Sequence, residues 1–184
     1  NDPFLAALLP QIRPSILDIS MLQVEQTNGD GSEDHVRELA AGWMEANADT
    51  VAEWIAAAES APAGGEETVA RGDITMCRAN WASGYIQAEI VRQIMQQAGY
   101  TVSDPSEIEL GPSNAYTAMA EGACHMWANS WYPGHYSWYE NELPDGSLVA
   151  DHVQAVDGLF QDSGVQGFLL TKSWADDNNI STID

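Results

Sequence analysis

A dense aromatic segment is the part of this sequence best suited to binding chemistry. The stretch WANSWYPGHYSWY, residues 127–139, holds six aromatic side chains in thirteen positions, whereas only 9% of the whole chain is aromatic. It also contains a proline, a glycine and a histidine, which are typical of turns and ligand-binding loops. The face of an indole attracts a cation by about 0.5–1 kcal/mol when exposed and by ~2 kcal/mol or more when desolvated. The segment is therefore a candidate site for a cation that has no N–H to donate, such as a quaternary ammonium.

Three side chains are the candidate ligand contacts. Trp131 lies two residues before Pro133, in a loop that follows a predicted strand, and is expected to form a wall of the site. Trp81 precedes a predicted helix and either forms a second wall of the site or packs inside the protein. His135 is either a ligand contact or a surface histidine at a helix N-terminus. A zwitterionic ligand would also bring a carboxylate for His135 or a backbone N–H to hold.

The other aromatic residues have structural interpretations. Trp127 lies inside a predicted strand, where packing in the sheet is the simpler expectation. The spacing of Tyr136, Tyr139 and Leu143 predicts the buried face of a helix after Pro133. Helix anchoring is predicted for three further residues, Trp43, Trp54 and Trp174.

The charge of the chain excludes several classes of function. It has 28 acidic and six basic residues, a formal net charge of −22. Nucleic-acid binding and anionic membrane surfaces both require Lys and Arg, so neither is an expected partner. No apolar run approaches the ~20 residues of a membrane span. The sequence contains no nucleophile elbow, zinc-protease motif, phosphate loop or cysteine pair at zinc spacing. It therefore predicts no enzymatic activity and no bound metal or cofactor.

The order of elements divides the chain into three parts. Residues 1–60 are predicted to be helical, with Ser32 capping one helix and Thr50 and Glu53 forming a capping box for the next. Residues 61–73, rich in Pro, Gly and charge, are predicted to be a linker. Residues 74–184 alternate strands and helices, which predicts an α/β lobe with a parallel sheet.

Within that lobe the predicted strands are DITMCRA, YTVSD, ACHMWANSW and the apolar part of GVQGFLLTKSW. A helix between the first two buries Ile86, Ile90, Ile94 and Met95, and a second helix is capped by Ser113 or Asn114 and stopped by Gly122. Ligands of open parallel sheets bind beyond the carboxyl ends of the strands. Trp81 and Trp131 follow the first and third strands, so in a 2-1-3 strand order their indoles can face each other across one edge.

Several short motifs follow one another along the chain: NW, GY, AYTAMAEG, W-x-P-x-H with a later Y, and QGFLLTKSW before ISTID. In this order they resemble the glycine betaine/proline betaine substrate-binding proteins of ABC importers. The helical residues 1–60 resemble the closing helices of the same family, placed first as in its permuted branch. The resemblance implies a lobe of the type II periplasmic-binding-protein fold, with a parallel or mixed sheet flanked by helices.

The resemblance also implies a function. Trp81 and Trp131 match two of the three tryptophans that box the ammonium of the ligand, and His135 matches the histidine that helps to hold its carboxylate. The expected partners are a betaine-like small molecule and the membrane subunit of an ABC transporter, in a periplasmic or extracellular setting. The chain is too short for two lobes, so the second lobe and third tryptophan are expected elsewhere.

Two alternatives stay open. A non-transport sensory or protein-interaction domain could use the same lobe, with the aromatic segment as an exposed patch. Cys77 and Cys124 are either core thiols or a disulfide, which an oxidising compartment would permit if their strands are adjacent.

Overall fold

A computed structural model describes residues 2–61, 71–156, 158 and 170–180. In the described chain, four helices precede a small parallel α/β arrangement. The helices are α1 (Pro3–Leu8), α2 (Ile16–Asn28), α3 (Glu33–Ala46), α4 (Ala48–Glu59), α5 (Ala82–Gln97), α6 (Pro112–Ala120) and α7 (Lys172–Asp177). The strands are β1 (Arg71–Ile74), β2 (Met76–Ala79), β3 (Tyr100–Val102), β4 (Glu109–Leu110) and β5 (Met126–Trp127). Short 3₁₀ turns occupy Leu9–Gln11, Pro105–Glu107, Tyr136–Glu140 and Val149–Asp151.

All strand pairs of the two small sheets are parallel. β1 pairs with β3, and β2 lies between β4 and β5, with Cys77 opposite Trp127. β1 and β2 are separated by Thr75 alone, so together they form the first predicted strand, flanked by the second on one side and the third on the other. The 2-1-3 order is thereby confirmed. The third strand is shorter than predicted, and the predicted strand in GVQGFLL falls outside the described residues, as do 62–70 of the predicted linker.

The helices predicted in residues 1–60 and on either side of β3 form, but the helix predicted after Pro133 is only a 3₁₀ turn, and two predicted caps are wrong. Ser32 caps α3 as expected, its hydroxyl accepting from the His35 N–H at 3.1 Å. α4 begins at Ala48 rather than at Thr50, because Asn47 ends α3 and starts α4 in one tight corner and leaves no room for the capping box. α6 begins at Pro112, whose fixed φ suits the first helical position, instead of after Ser113 or Asn114.

Two apolar clusters lie on either side of the central strand. The larger one packs α1–α4 against α5, whose Ile86, Ile90, Ile94 and Met95 are fully buried as predicted. The smaller one packs β2 and β5 against α6. Trp43 is buried and stacks on Trp54, as helix anchors should. Trp174 is 50% exposed, so its predicted anchoring role is wrong; α7 has only six residues and no buried face.

Arginines join the N-terminal helices to the lobe. Arg78 on β2 is 5% exposed and donates two hydrogen bonds to Glu33 of α3, at 2.6 and 2.7 Å. It also bonds Glu109 of β4 at 2.8 Å. Arg71 of β1 lies 3.2 Å over the ring of Phe4 in α1. These contacts cross the seam between the N-terminal helices and the lobe, and we therefore expect residues 2–61 to unfold together with the lobe as a single unit.

Cys77 of β2 and Cys124, just before β5, form a disulfide. Of the two alternatives, the structure therefore shows the disulfide and not a pair of core thiols. Both residues are buried, and the parallel alignment of β2 with β5 brings them together. The bridge closes a sequence separation of 47 residues. It therefore fixes the strand that carries the aromatic segment to the centre of the sheet.

No helix in the described ranges is by itself long and apolar enough to cross a membrane. One bent pair, Pro3–Gln11 with Ile16–Asn28, passes the length and composition test together.

Replacing Arg78 by methionine should lower the free energy of unfolding by about 1–3 kcal/mol, because the charge-assisted bonds across the seam are lost while both glutamates remain partly solvated. Urea unfolding followed by circular dichroism tests this, with Lys172→Gln at an exposed ion pair as the control, expected to change stability by less than about 0.5 kcal/mol. Two separated unfolding transitions in the unmodified chain would contradict the single unit.

Removing the disulfide should cost about 4 kcal/mol, the chain-entropy value for a loop of this size. Cys77→Ala and Cys124→Ala should each lose as much as the double substitution, since either one opens the same loop. Thermal unfolding of the three variants in oxidising buffer measures this. Equal stability of the oxidised and reduced parent chain would argue against the expectation.

Candidate functional site

The indole of Trp127 is the centre of the aromatic segment. It lies at the end of β5 with 7% of its surface exposed. The imidazole of His135 stacks on it, with centroids 5.5 Å apart and planes 21° from parallel. The rings of Trp81 and Tyr116 meet it edge-on, at 6.2 and 5.7 Å. Such edge-to-face contacts between aromatic rings are individually favourable, so the four rings hold one another in place.

The turn that follows is closed by a reciprocal pair of hydrogen bonds. The Trp131 N–H donates to Nδ1 of His135 at 3.0 Å, and the His135 N–H donates to the Trp131 carbonyl at 2.7 Å. A cis peptide bond between Tyr132 and Pro133 lies inside this turn. Since Nδ1 accepts a hydrogen bond, the neutral imidazole carries its proton on Nε2 and presents a donor there. Burial lowers the pKa of His135, which favours this neutral form.

The indole of Trp131 is held from the other side by Asn129. Its Nε1–H donates to Oδ1 of Asn129 at 2.7 Å. Asn129 is 4% exposed and lies directly beyond β5. Trp127, Asn129 and Trp131 all line the same cavity, as do the residues between them.

Trp81 reaches the same edge from the neighbouring strand. It is the residue before the first turn of α5, two positions after β2 ends. The helix starts close against the strand: a side chain at Gly84 would lie 2.6 Å from the Cβ of Ala79. Trp81 is half-buried, and the ring that it contacts within the described chain is that of Trp127 rather than that of Trp131.

Two tyrosines complete the floor. Tyr116 of α6 is buried, and its hydroxyl is hydrogen-bonded to that of Ser130. Tyr139 meets Tyr116 edge-on at 5.0 Å, and burial raises the pKa of Tyr139 to about 12, so its hydroxyl stays protonated. Tyr136 is 59% exposed, so the predicted buried helix face is wrong at this position. The backbone forms only a 3₁₀ turn over Tyr136–Glu140.

A cavity of about 1080 Å³ opens beside these rings. Its lining includes aromatic side chains and apolar residues from α1, α5 and the strands; the aromatic ones are Tyr116, Trp127, Trp131, Tyr132 and Tyr139. Among the residues that the structure describes, no Asp, Glu, Lys or Arg lines this cavity. The whole chain has a net charge of −22, so this uncharged lining differs clearly from the composition of the rest of the protein.

The structure thus places the three predicted site residues at one edge of the sheet, but Trp81 and Trp131 are connected only through other residues. Trp131 and His135 are joined by the turn, and Trp81 and His135 meet through the ring of Trp127. Trp131 lines the cavity directly. Within the described lining, neither Trp81 nor His135 takes part.

Sequence reasoning missed Asn129, Tyr116 and the central position of Trp127. The aromatic density of residues 127–139 pointed to the loop, but every residue from 127 to 133 lines the cavity, so no spacing within the loop distinguishes Asn129. Trp127 packs in the sheet as predicted, yet it also lines the cavity. Tyr116 lies on a separate helix, and no local pattern connects it to the loop.

Comparison with known proteins identifies relatives of this lobe. Residues 72–184, more than half of the chain, match the family described as the substrate binding domain of ABC-type glycine betaine transport systems. The glycine betaine/proline betaine-binding periplasmic protein of Escherichia coli is 31% identical over 97 residues, which is 53% of this chain. The glycine betaine-binding periplasmic protein OusX of Dickeya dadantii is 28% identical over 98 residues.

These alignments span only 27% of the length of each of those relatives. The family match begins at residue 72, so the predicted resemblance of residues 1–60 to the family's closing helices stays a prediction.

The neutral state of His135 predicts a pH dependence. Because burial lowers its pKa in the folded chain, the unfolded chain binds this proton at higher pH. The contribution of the neutral His135 ring to the free energy of unfolding should be fully present above about pH 6.5, the ordinary pKa of histidine. It should decrease as the pH falls below that value. Urea unfolding between pH 5 and 8 should show this slope, and His135→Gln should reduce it.

An NMR titration of the His135 ring with a midpoint above 6.5 would contradict the assignment.

Proposed function

The chain belongs to the family of substrate-binding domains of ABC-type glycine betaine transport systems, and we propose that it binds a zwitterionic quaternary-ammonium solute at the edge of the sheet beyond β2 and β5. The family has the type II periplasmic-binding-protein fold, and its members bind substrates for transport. The proposal assigns the ammonium to the aromatic side of the cavity and the ligand's carboxylate to hydrogen-bond donors beside it.

The observation that carries this proposal is the uncharged aromatic lining. A simple cation would gain most from carboxylates, of which this chain has many, yet none lines the described cavity. An anion would need arginine or lysine, and none is there either. A ligand that carries both charges and no net charge fits such a lining, because it need not lose a counter-ion on entering.

The two ends of the ligand need different partners. Ring faces such as that of Trp131 supply about 2 kcal/mol each to a desolvated ammonium. Micromolar binding requires about 8 kcal/mol, so ring faces alone are insufficient. The Nε2–H of His135 is the proposed donor to the carboxylate, and Trp81 is proposed as a further aromatic contact, reached when the second lobe of the family's proteins closes over the edge.

We further propose that the domain works with the membrane component of an ABC transporter, in a periplasmic or extracellular compartment. The relatives in Escherichia coli and Dickeya dadantii are named as periplasmic binding proteins, which supports this. The disulfide between Cys77 and Cys124 is also in keeping with an oxidising compartment.

A second candidate function is protein interaction, as in a sensory domain. The observation that favours it is a pair of exposed rings, Tyr132 at 82% and Tyr136 at 59%, whose centroids lie 6.0 Å apart. Self-association that depends on protein concentration and is lost in Tyr132→Ser would favour this alternative.

Titration with glycine betaine, followed by tryptophan fluorescence, tests the proposal. We expect a saturable change that sodium chloride does not produce, and weaker binding of choline, which lacks the carboxylate. Trp131→Ala should weaken glycine betaine binding about tenfold to thirtyfold, the loss of one desolvated cation–π contact.

The exposed Trp174 provides the matched control, because Trp174→Ala removes an indole that does not line the cavity. Its affinity should equal that of the parent chain. Equal affinity for glycine betaine in the parent and Trp131→Ala would place the ligand elsewhere. Preference for choline over glycine betaine would refute the zwitterionic class.

A further inference from the structure

The indole of Trp131 has few contacts for a ring with a proposed binding role. In the described chain it makes no aromatic ring contact and belongs to neither apolar cluster, whereas Trp81 and Trp127 do both. Its main chain is fixed by His135, but those hydrogen bonds do not restrict the side-chain torsions. Among the contacts of the described residues, the hydrogen bond from Nε1–H to Asn129 is the specific one that fixes the ring plane.

The chemistry of this contact leaves no choice of orientation for Asn129. An indole N–H is only a donor, so the amide must present its oxygen to it. The amide nitrogen then points away, and in the described chain this buried nitrogen has no hydrogen-bond partner. A buried unpaired donor destabilises a fold. Asn129 is therefore a poor choice for stability alone, and its position is better explained by the ring that it holds.

Asn129 is itself well suited to act as a fixed point. It is 4% exposed and follows β5 by two residues, and β5 pairs with β2 next to the disulfide. Its backbone is thus carried by the most constrained part of the lobe. The acceptor oxygen can hold the Trp131 indole at a constant angle to the cavity.

We propose that Asn129 is the positioning residue of the ligand site: its side-chain oxygen fixes the plane of the Trp131 indole so that the ring face is turned to the ligand's ammonium before binding. This inference rests on the proposed function for its ligand, but the contact itself is independent of any ligand. Without the contact, the indole samples other rotamers, and binding must order it again at a cost in affinity.

The test uses the 184-residue chain labelled with ¹⁵N. The indole N–H signal of Trp131, assigned by its loss in Trp131→Phe, should be protected from exchange with water. Asn129→Asp retains the acceptor oxygen and should keep this protection, whereas Asn129→Leu should abolish it. If Asn129→Leu does not fold, Asn129→Ala takes its place. Asn141→Leu, on the following loop, is the matched control and should leave the signal unchanged.

Affinity for glycine betaine provides the second readout. Asn129→Leu should weaken binding about tenfold, the effect of one lost positioning contact. In the Trp131→Phe background, which lacks the indole N–H, the same substitution should change affinity by less than about twofold, because there is nothing left to hold.

Each outcome decides a separate claim. Unchanged protection of the Trp131 indole in Asn129→Leu would overturn the positioning role, whether or not glycine betaine binds. An equal loss of affinity in both backgrounds would also overturn it, since Asn129 would then act directly or through folding. If the indole responds as expected and no form binds glycine betaine, the contact role is supported and the proposed function fails.

Discussion

The parallel pairing of β2 with β5 is the constraint on which the site depends. It places Cys77 opposite Trp127 and brings the carboxyl ends of both strands to one edge of the sheet. The chain after β2 therefore delivers Trp81 to the ring of Trp127, and the chain after β5 delivers Asn129 and Trp131 to the cavity. A shift of the register by one residue would turn these side chains to the opposite face.

The distribution of charge follows from the same arrangement. The chain has six basic residues, and three of them, Arg37, Arg71 and Arg78, contact groups across the seam between the N-terminal helices and the lobe. Acidic residues cover the surface, while the described cavity lining carries no charged side chain. Ring faces and neutral donors are what remains to recognise a ligand. Within its described lining, the candidate site of this strongly acidic protein therefore has no carboxylate that would favour a cation without a negative group of its own.

Local patterns predict the elements well and the site in part. The helical period gave the buried face of α5, and the alternation of strands and helices gave the parallel order that puts Trp81 and Trp131 at one edge. The caps of α4 and α6 could not be predicted, because a tight corner and a proline override side-chain capping there. The role of Tyr116, which comes from a separate helix, and the hydrogen bond of Asn129 depend on tertiary packing, which no spacing in the sequence encodes.

The most direct test of the account is the position of the bound ligand. Intermolecular NOEs between the N-methyl protons of glycine betaine and the ring protons of the ¹⁵N-labelled chain report contacts within about 5–6 Å, the range of cation–π geometry. If the ammonium binds against Trp131, NOEs to its indole are expected. Saturable binding with NOEs only to rings outside the cavity, such as those of Trp43 or Trp54, would contradict this position of the ligand.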